Sequence, residues 1–127
     1  MKGEGDRVMG KGGMQCRNFR ELNVWIESME IAKSVYGLIS ELPEYEKFGL
    51  HSQLAKAAVS VPSNIAEGCG KSSNKDFKRF LEISLGSSYE LETQLILASG
   101  IHGLPAAPVI EKLQILQRML AKLLSTL

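Results

Sequence analysis

Gly70, Lys71 and Ser72 spell the tail of a phosphate-binding loop, and a helical pattern follows at Phe77. Such a loop needs a glycine at position 65, a strand before it and a helix after it, so that backbone N–H groups wrap the phosphates. Position 65 is Ile65, the preceding stretch has a helical pattern, and no downstream strand offers a magnesium-binding aspartate. The nucleotide reading falls. What survives is charge: Lys71, Lys75, Lys78 and Arg79 crowd the start of a helix with Asp76 to offset them. The positive end of a helix dipole favours acids, so each base there costs a few tenths of a kcal/mol at most when exposed. The cluster is either a solvated face or an anion site for a phosphate backbone or an acidic partner.

A second polar group lies upstream. Ser60, Asn64 and Glu67 share a helical face in "SVPSNIAEG", and Glu90 and Glu92 follow Gly86 on the next segment. Paired carboxylates can exchange protons with a substrate, but catalysis also needs a pocket and a nucleophile or base beside them. His51 and His102 fall near predicted helix ends, far apart in sequence. Asn64 and Glu67 are expected instead to cap backbone groups freed by Pro62, or to bond across helices. No enzymatic activity, cofactor or metal is expected. Cys16 and Cys69 have no metal-ligand spacing, and a disulfide between them is not expected; a reduced, cytoplasmic protein is. Lys71 close to Cys69 would favour a mildly activated thiol.

The elements that position these residues read as helices throughout. Leu22, Trp25, Met29, Ala32, Tyr36 and Ile39 step by three and four, with Val24, Ile31, Val35, Leu38 and Leu42 beside them. Two stripes predict a helix packed on more than one neighbour. Leu50, Leu54, Ala57, Ala58, Val61 and Ile65 mark a second helix, ending at Gly68 or Gly70, in which Pro62 predicts a kink and not a stop. Phe77, Leu81, Ser84, Ser88, Leu91, Leu95 and Ala98 mark a third. Ser73 is its predicted N-cap, paired with Asp76 at capping-box spacing. Gly68 and Gly70 are expected to supply left-handed turns, and Gly86 to admit a neighbouring helix. Pro105 and Pro108 suit the first turn of a fourth helix, where Val109, Leu113, Leu116, Leu120, Leu123 and Leu127 keep 4-3 spacing.

No segment alternates with period two. The fold class is all-α, an antiparallel up-down four-helix bundle over residues 18–127. The glycine-rich residues 1–17 are expected to form a flexible tail, with Met1 and Met14 both candidate starts. At 44% hydrophobic, 23% charged and net charge +1, bulk composition demands neither a nucleic-acid nor a membrane partner. No apolar run reaches transmembrane length, and no signal-peptide core is seen.

The blocks "FRELNVWIESMEIA", "LPEYEKFGLHSQLAKAAVSVPSNIAEG" and "FKRFLEISLGSSYELETQLILA", with the leucine-rich fourth helix, carry a family resemblance. The sequence resembles the four-helix bundle proteins encoded in intervening sequences of bacterial 23S ribosomal RNA genes. The accessory variability proteins of diversity-generating retroelements fall in the same broad family. The resemblance implies a homopentamer without enzymatic activity. From the retroelement relatives it implies RNA or DNA, and a reverse transcriptase, as partners. The family often carries two bases in the middle of the second helix; here Ala55 precedes Lys56, so one is missing. A ring would nevertheless repeat Lys56, Lys71, Lys75, Lys78 and Arg79 around its circumference. The expected function is a non-catalytic, oligomeric, RNA-associated accessory protein. The rival expectation is a homo-oligomeric scaffold for another protein, with no nucleic-acid role.

Overall fold

Burial decides where the helices lie. A computed structural model describes Cys16 and residues 18–127. The tail expected at 1–17 therefore lies, but for Cys16, outside the described residues. Four helices carry the chain: α1 (Asn23–Ile39), α2 (Leu50–Cys69), α3 (Asn74–His102) and α4 (Ala107–Leu124). Single 3₁₀ turns precede α1 at Phe19–Glu21 and α2 at Glu44–Glu46. No strand occurs among the described residues. Each helix packs on two others, α1 on α2 and α4, and α3 on α2 and α4. Diagonal pairs do not touch, so the cross-section is a four-cornered bundle around one core.

That core is made from the periodic residues. Leu54, Ile65, Leu81, Leu91, Leu95, Leu113, Leu116 and Leu120 are all fully buried, joined by Leu22, Val24, Val35 and Ile39. Removing side chains of this size from water stabilises the bundle by roughly 1.5–3 kcal/mol each. The polar residues admitted to this interior bond to backbone, as buried hydroxyls must. Ser28 Oγ donates to Trp25 O at 2.8 Å, Ser84 Oγ to Val61 O at 2.8 Å, and Ser88 Oγ to Leu85 O at 2.6 Å.

The most extensive contact joins α2 to α3. Ser84 reaches Val61, Ser60 and Ser87 share a 2.8 Å hydroxyl contact, and Gly68 lies against Phe77 and Phe80. These pairs move in opposite directions along the two helices, so α2 and α3 are antiparallel. The junction between them turns within a few residues. Ser73 accepts a 3.1 Å hydrogen bond from Asp76 N, which makes it the N-cap of α3.

The geometry corrects four expectations. Gly86 admits no neighbouring helix: it is exposed, and a Cβ built there meets nothing within 4 Å. The close approach is at Gly68, where a Cβ would stand 2.8 Å from Phe80 Cβ and 3.3 Å from Phe77 O. Gly68 is therefore a contact glycine inside α2, and Gly70 has φ −80°, so neither supplies a left-handed turn. That conformation falls to Gly103, φ +69°, which caps α3. Cys16 and Cys69 are joined as a disulfide, with Cα atoms 5.1 Å apart, so Cys69 is not an activated free thiol. Fifty-three residues separate the two in sequence, and only the fold brings them together.

Apart from Leu22 and Ile39, which are fully buried, the two stripes separate in role. Val24, Ile31, Val35 and Leu42 enter the core. Trp25, Met29, Ala32 and Tyr36 line an open groove against Val59, Pro62 and Ala66 of α2. The groove encloses about 560 Å³ and is almost entirely apolar.

Candidate nucleic-acid interface

The basic residues collect where α2 gives way to α3. Lys71 sits in the turn, and Lys75, Lys78 and Arg79 occupy the first turns of α3; all four are exposed. The sequence does not announce the anchor shared by Lys71 and Arg79, Phe80. Phe80 is 8% exposed, with Lys71 Nζ 5.1 Å from its ring centroid and Arg79 Cζ 4.7 Å. A ring face attracts cations through its quadrupole, by about 0.5–1 kcal/mol at exposed sites. Phe80 in turn is fixed by Gly68, because only a glycine lets α2 come this close to its Cβ. The chain of causes runs from a missing side chain on α2, to a seated ring, to two cations held at one spot on the surface. Lys75 and Lys78 lie on the same turns of α3.

Lys56 does not join them. It is exposed on α2, thirteen residues before Cys69, which places it ~20 Å along the helix axis from the junction. Glu67 is exposed near the end of α2 and Asp76 at the start of α3, so the cluster is basic but not purely so.

The polar face of α2 also resolves. Asn64 Nδ2 donates to Ser60 O at 2.9 Å and to Ser60 Oγ at 3.0 Å. Ser60 Oγ meets Ser87 Oγ across the helix pair. α2 runs through Pro62, whose missing N–H deprives Ala58 O of its helical donor. The side-chain donors collect one turn's edge away, at Ser60 and Val61, and not at Ala58. Asn64 thus braces the α2–α3 contact, whereas Glu67 points to solvent and Glu90 is exposed on α3. These residues form no acid–base pair with a histidine. Glu92 is used structurally, accepting from Gln114 Nε2 at 3.1 Å and Gln117 Nε2 at 2.9 Å on α4.

A histidine–carboxylate contact does exist at the other end of the bundle, formed by a residue that sequence reasoning passed over. Glu46 Oε2 lies 2.7 Å from His102 Nε2, and Glu46 Oε1 accepts from Leu50 N at 3.0 Å. Tyr45 packs edge-on to the His102 ring at 5.8 Å. The His102 hydrogen bond, then the Leu50 N–H, hold the Glu46 carboxyl below its ordinary range against the opposing effect of burial. Glu46 thereby caps the start of α2 and ties it to the end of α3. Its spacing to Leu50, four residues before the helix start, was the one available signal.

With the geometry set out, comparison places the chain among known proteins. The profile of the 23S rRNA-intervening sequence protein family matches residues 20–125. The chain belongs to this family. A crystal structure of a protein of unknown function from the S23 ribosomal protein family, from Bacteroides thetaiotaomicron, superposes with a TM-score of 0.74 at 22% identity. The match covers 81% of this chain and 99% of that one, a likeness of fold. No curated protein sequence matches the chain. Within the 23S rRNA-intervening sequence fold, no helix of the described residues is long and apolar enough to cross a membrane. No cluster of metal-ligating side chains occurs among them.

Proposed function

We propose that this 23S rRNA-intervening sequence protein is a non-catalytic, self-associating bundle that contacts RNA through the α2–α3 junction. The observation that carries the reading is the four exposed cations at one junction, two of them stacked on Phe80. Their charge complements a phosphate backbone, and the planar guanidinium of Arg79 offers a surface on which an unpaired base can stack. One copy presents a modest patch. A pentameric ring would repeat it five times, and linked weak sites gain through effective concentration. Cytoplasmic RNA is the target of this reading; DNA is the control ligand, and a reverse transcriptase is the protein partner to test if the gene lies in a retroelement.

The test is a binding titration with a fluorescent single-stranded RNA at low salt, comparing wild type with the Lys75→Ala/Lys78→Ala/Arg79→Ala variant. Binding that is lost in the variant supports the reading. No binding at low salt, or equal binding by both proteins, overturns it.

A second reading, a self-associating scaffold without nucleic acid, is favoured by the groove between α1 and α2. Trp25, Met29 and Tyr36 leave apolar surface there uncovered within one chain. Ile83, Leu97 and Ile101 are likewise exposed on α3, the helix that does not touch α1. Two distinct apolar surfaces on one protomer permit a heterologous contact, the kind that closes into a ring.

A further inference from the structure

The Cys16–Cys69 disulfide stands at a place where several features meet. Cys69 is the last residue of α2, directly before the junction. Cys16 opens the segment that leads through Phe19 to Trp25, whose rings pack edge-on at 5.2 Å. Trp25 and Ala66 line the groove, and Cys69 follows Ala66 by three residues, nearly one helical turn. The disulfide and Phe19 therefore lie beside the Trp25 end of the groove.

Among the described residues the segment is held at several points. Leu22 is fully buried, so the core fixes the chain from there onward. Upstream of Leu22 the restraints are the Phe19–Trp25 contact, the 3₁₀ turn against α1 and α2, and the disulfide itself. Opening the bond removes one of these restraints and leaves the buried Leu22 in place. The two cysteines also differ in access: Cys69 is 8% exposed, while Cys16 is half-buried against the core.

We propose that the Cys16–Cys69 disulfide is a redox-operated latch on the end of the α1–α2 groove. The reductant is a small thiol of the glutathione class. Its thiolate attacks Sγ of Cys16, the more accessible cysteine; the S–S bond breaks and Cys69 leaves as thiolate, then takes a proton from water. A second reductant thiolate attacks the mixed disulfide and releases Cys16, which is protonated in turn. Two electrons pass to the protein, and the two reductant thiols end as their own disulfide. Oxidised glutathione runs the sequence backwards. When the latch is open, Phe19 leaves Trp25 and uncovers that end of the groove.

Trp25 is the only tryptophan in the chain, so its emission reports this end of the groove directly. The experiment equilibrates the full-length protein in glutathione buffers of graded redox poise. Thiol alkylation with mass spectrometry measures the bond, Trp25 emission measures the contact, and far-UV circular dichroism measures helix content. The expected result is a reversible red shift of Trp25 emission that tracks alkylation of both cysteines, at constant helix content. The Cys16→Ser variant should show the shifted emission in every buffer and no response to reductant. The proposal is overturned if both cysteines become alkylated with no change in emission. It is overturned equally if oxidised glutathione never forms the bond, or if reduction melts the helices, which would make the disulfide a staple and not a latch.

Discussion

Gly68 lies so close to Phe80 that a methyl group in its place would stand 2.8 Å from the phenylalanine Cβ. Backbone and Cβ atoms meet there, so no flexible side-chain end can yield. The contact sets how near α2 comes to α3 and seats the ring on which Lys71 and Arg79 rest. Gly68→Ala is expected to lower stability by about 1–3 kcal/mol, the usual cost of overfilling a packed site. The exposed Gly86 has open space around it. Gly86→Ala should therefore stabilise α3, by about 0.5–1 kcal/mol, through the better helix propensity of alanine. Thermal denaturation of the two variants side by side checks both signs; a neutral Gly68→Ala would mean that the helices do not approach this closely.

The α2–α3 contact also depends on Ser84. Its hydroxyl is buried and donates to Val61 O. Ser84→Ala leaves that carbonyl with its helical donor alone and should cost about 1 kcal/mol. Denaturant unfolding should show a lower midpoint with an unchanged slope.

At the opposite end, Glu46 gives the fold an acid sensitivity. Its folded carboxyl is held below the ordinary range by His102 and the Leu50 N–H. A depressed carboxyl contributes stability that is fully present above its unfolded pKa, about 4.3, and is lost as pH falls through the lower folded value. Wild type should lose thermal stability over that acid window more steeply than His102→Ala, in which the larger cause of the depression is gone. Carboxyl NMR titration of Glu46 reads the same effect, and identical titration curves in the two proteins would contradict it.

Self-association through the groove makes a separate prediction. Met29→Glu places a charge among Trp25, Tyr36 and Val59, where an unpaired carboxylate is costly to bury. Light scattering of wild type should give a mass several times that of one chain, and Met29→Glu a smaller one. A monomeric wild type would remove the ring from the account.

The sequence foretold what burial periodicity controls. The stripes through Leu54, Leu81 and Leu116 mark helices because a helix buries one face every few residues, and Ser73 is legible because a cap and its partner lie three residues apart. The misjudged features depend on distant partners. Gly68 and Gly86 look alike in sequence, and only the position of Phe80 tells which one faces a neighbour. Cys16 and Cys69, and Glu46 and His102, are separated by 53 and 56 residues, so no local pattern joins them. The candidate interface divides in the same way: the four junction bases are near one another in the chain and were legible, but the seating of Lys71 and Arg79 on Phe80 was not.

The central claim is that the junction bases meet RNA phosphates, and salt dependence tests it most directly. Neutralising a phosphate releases counterions, so each lost contact lowers the slope of log K against log salt by about 0.7 for a single strand. Measured over a salt series, the Lys75→Ala/Lys78→Ala/Arg79→Ala variant should bind single-stranded RNA more weakly, with a slope shallower by about 2. Parallel slopes for the two proteins, or no measurable RNA binding by wild type at the lowest salt, would contradict the claim.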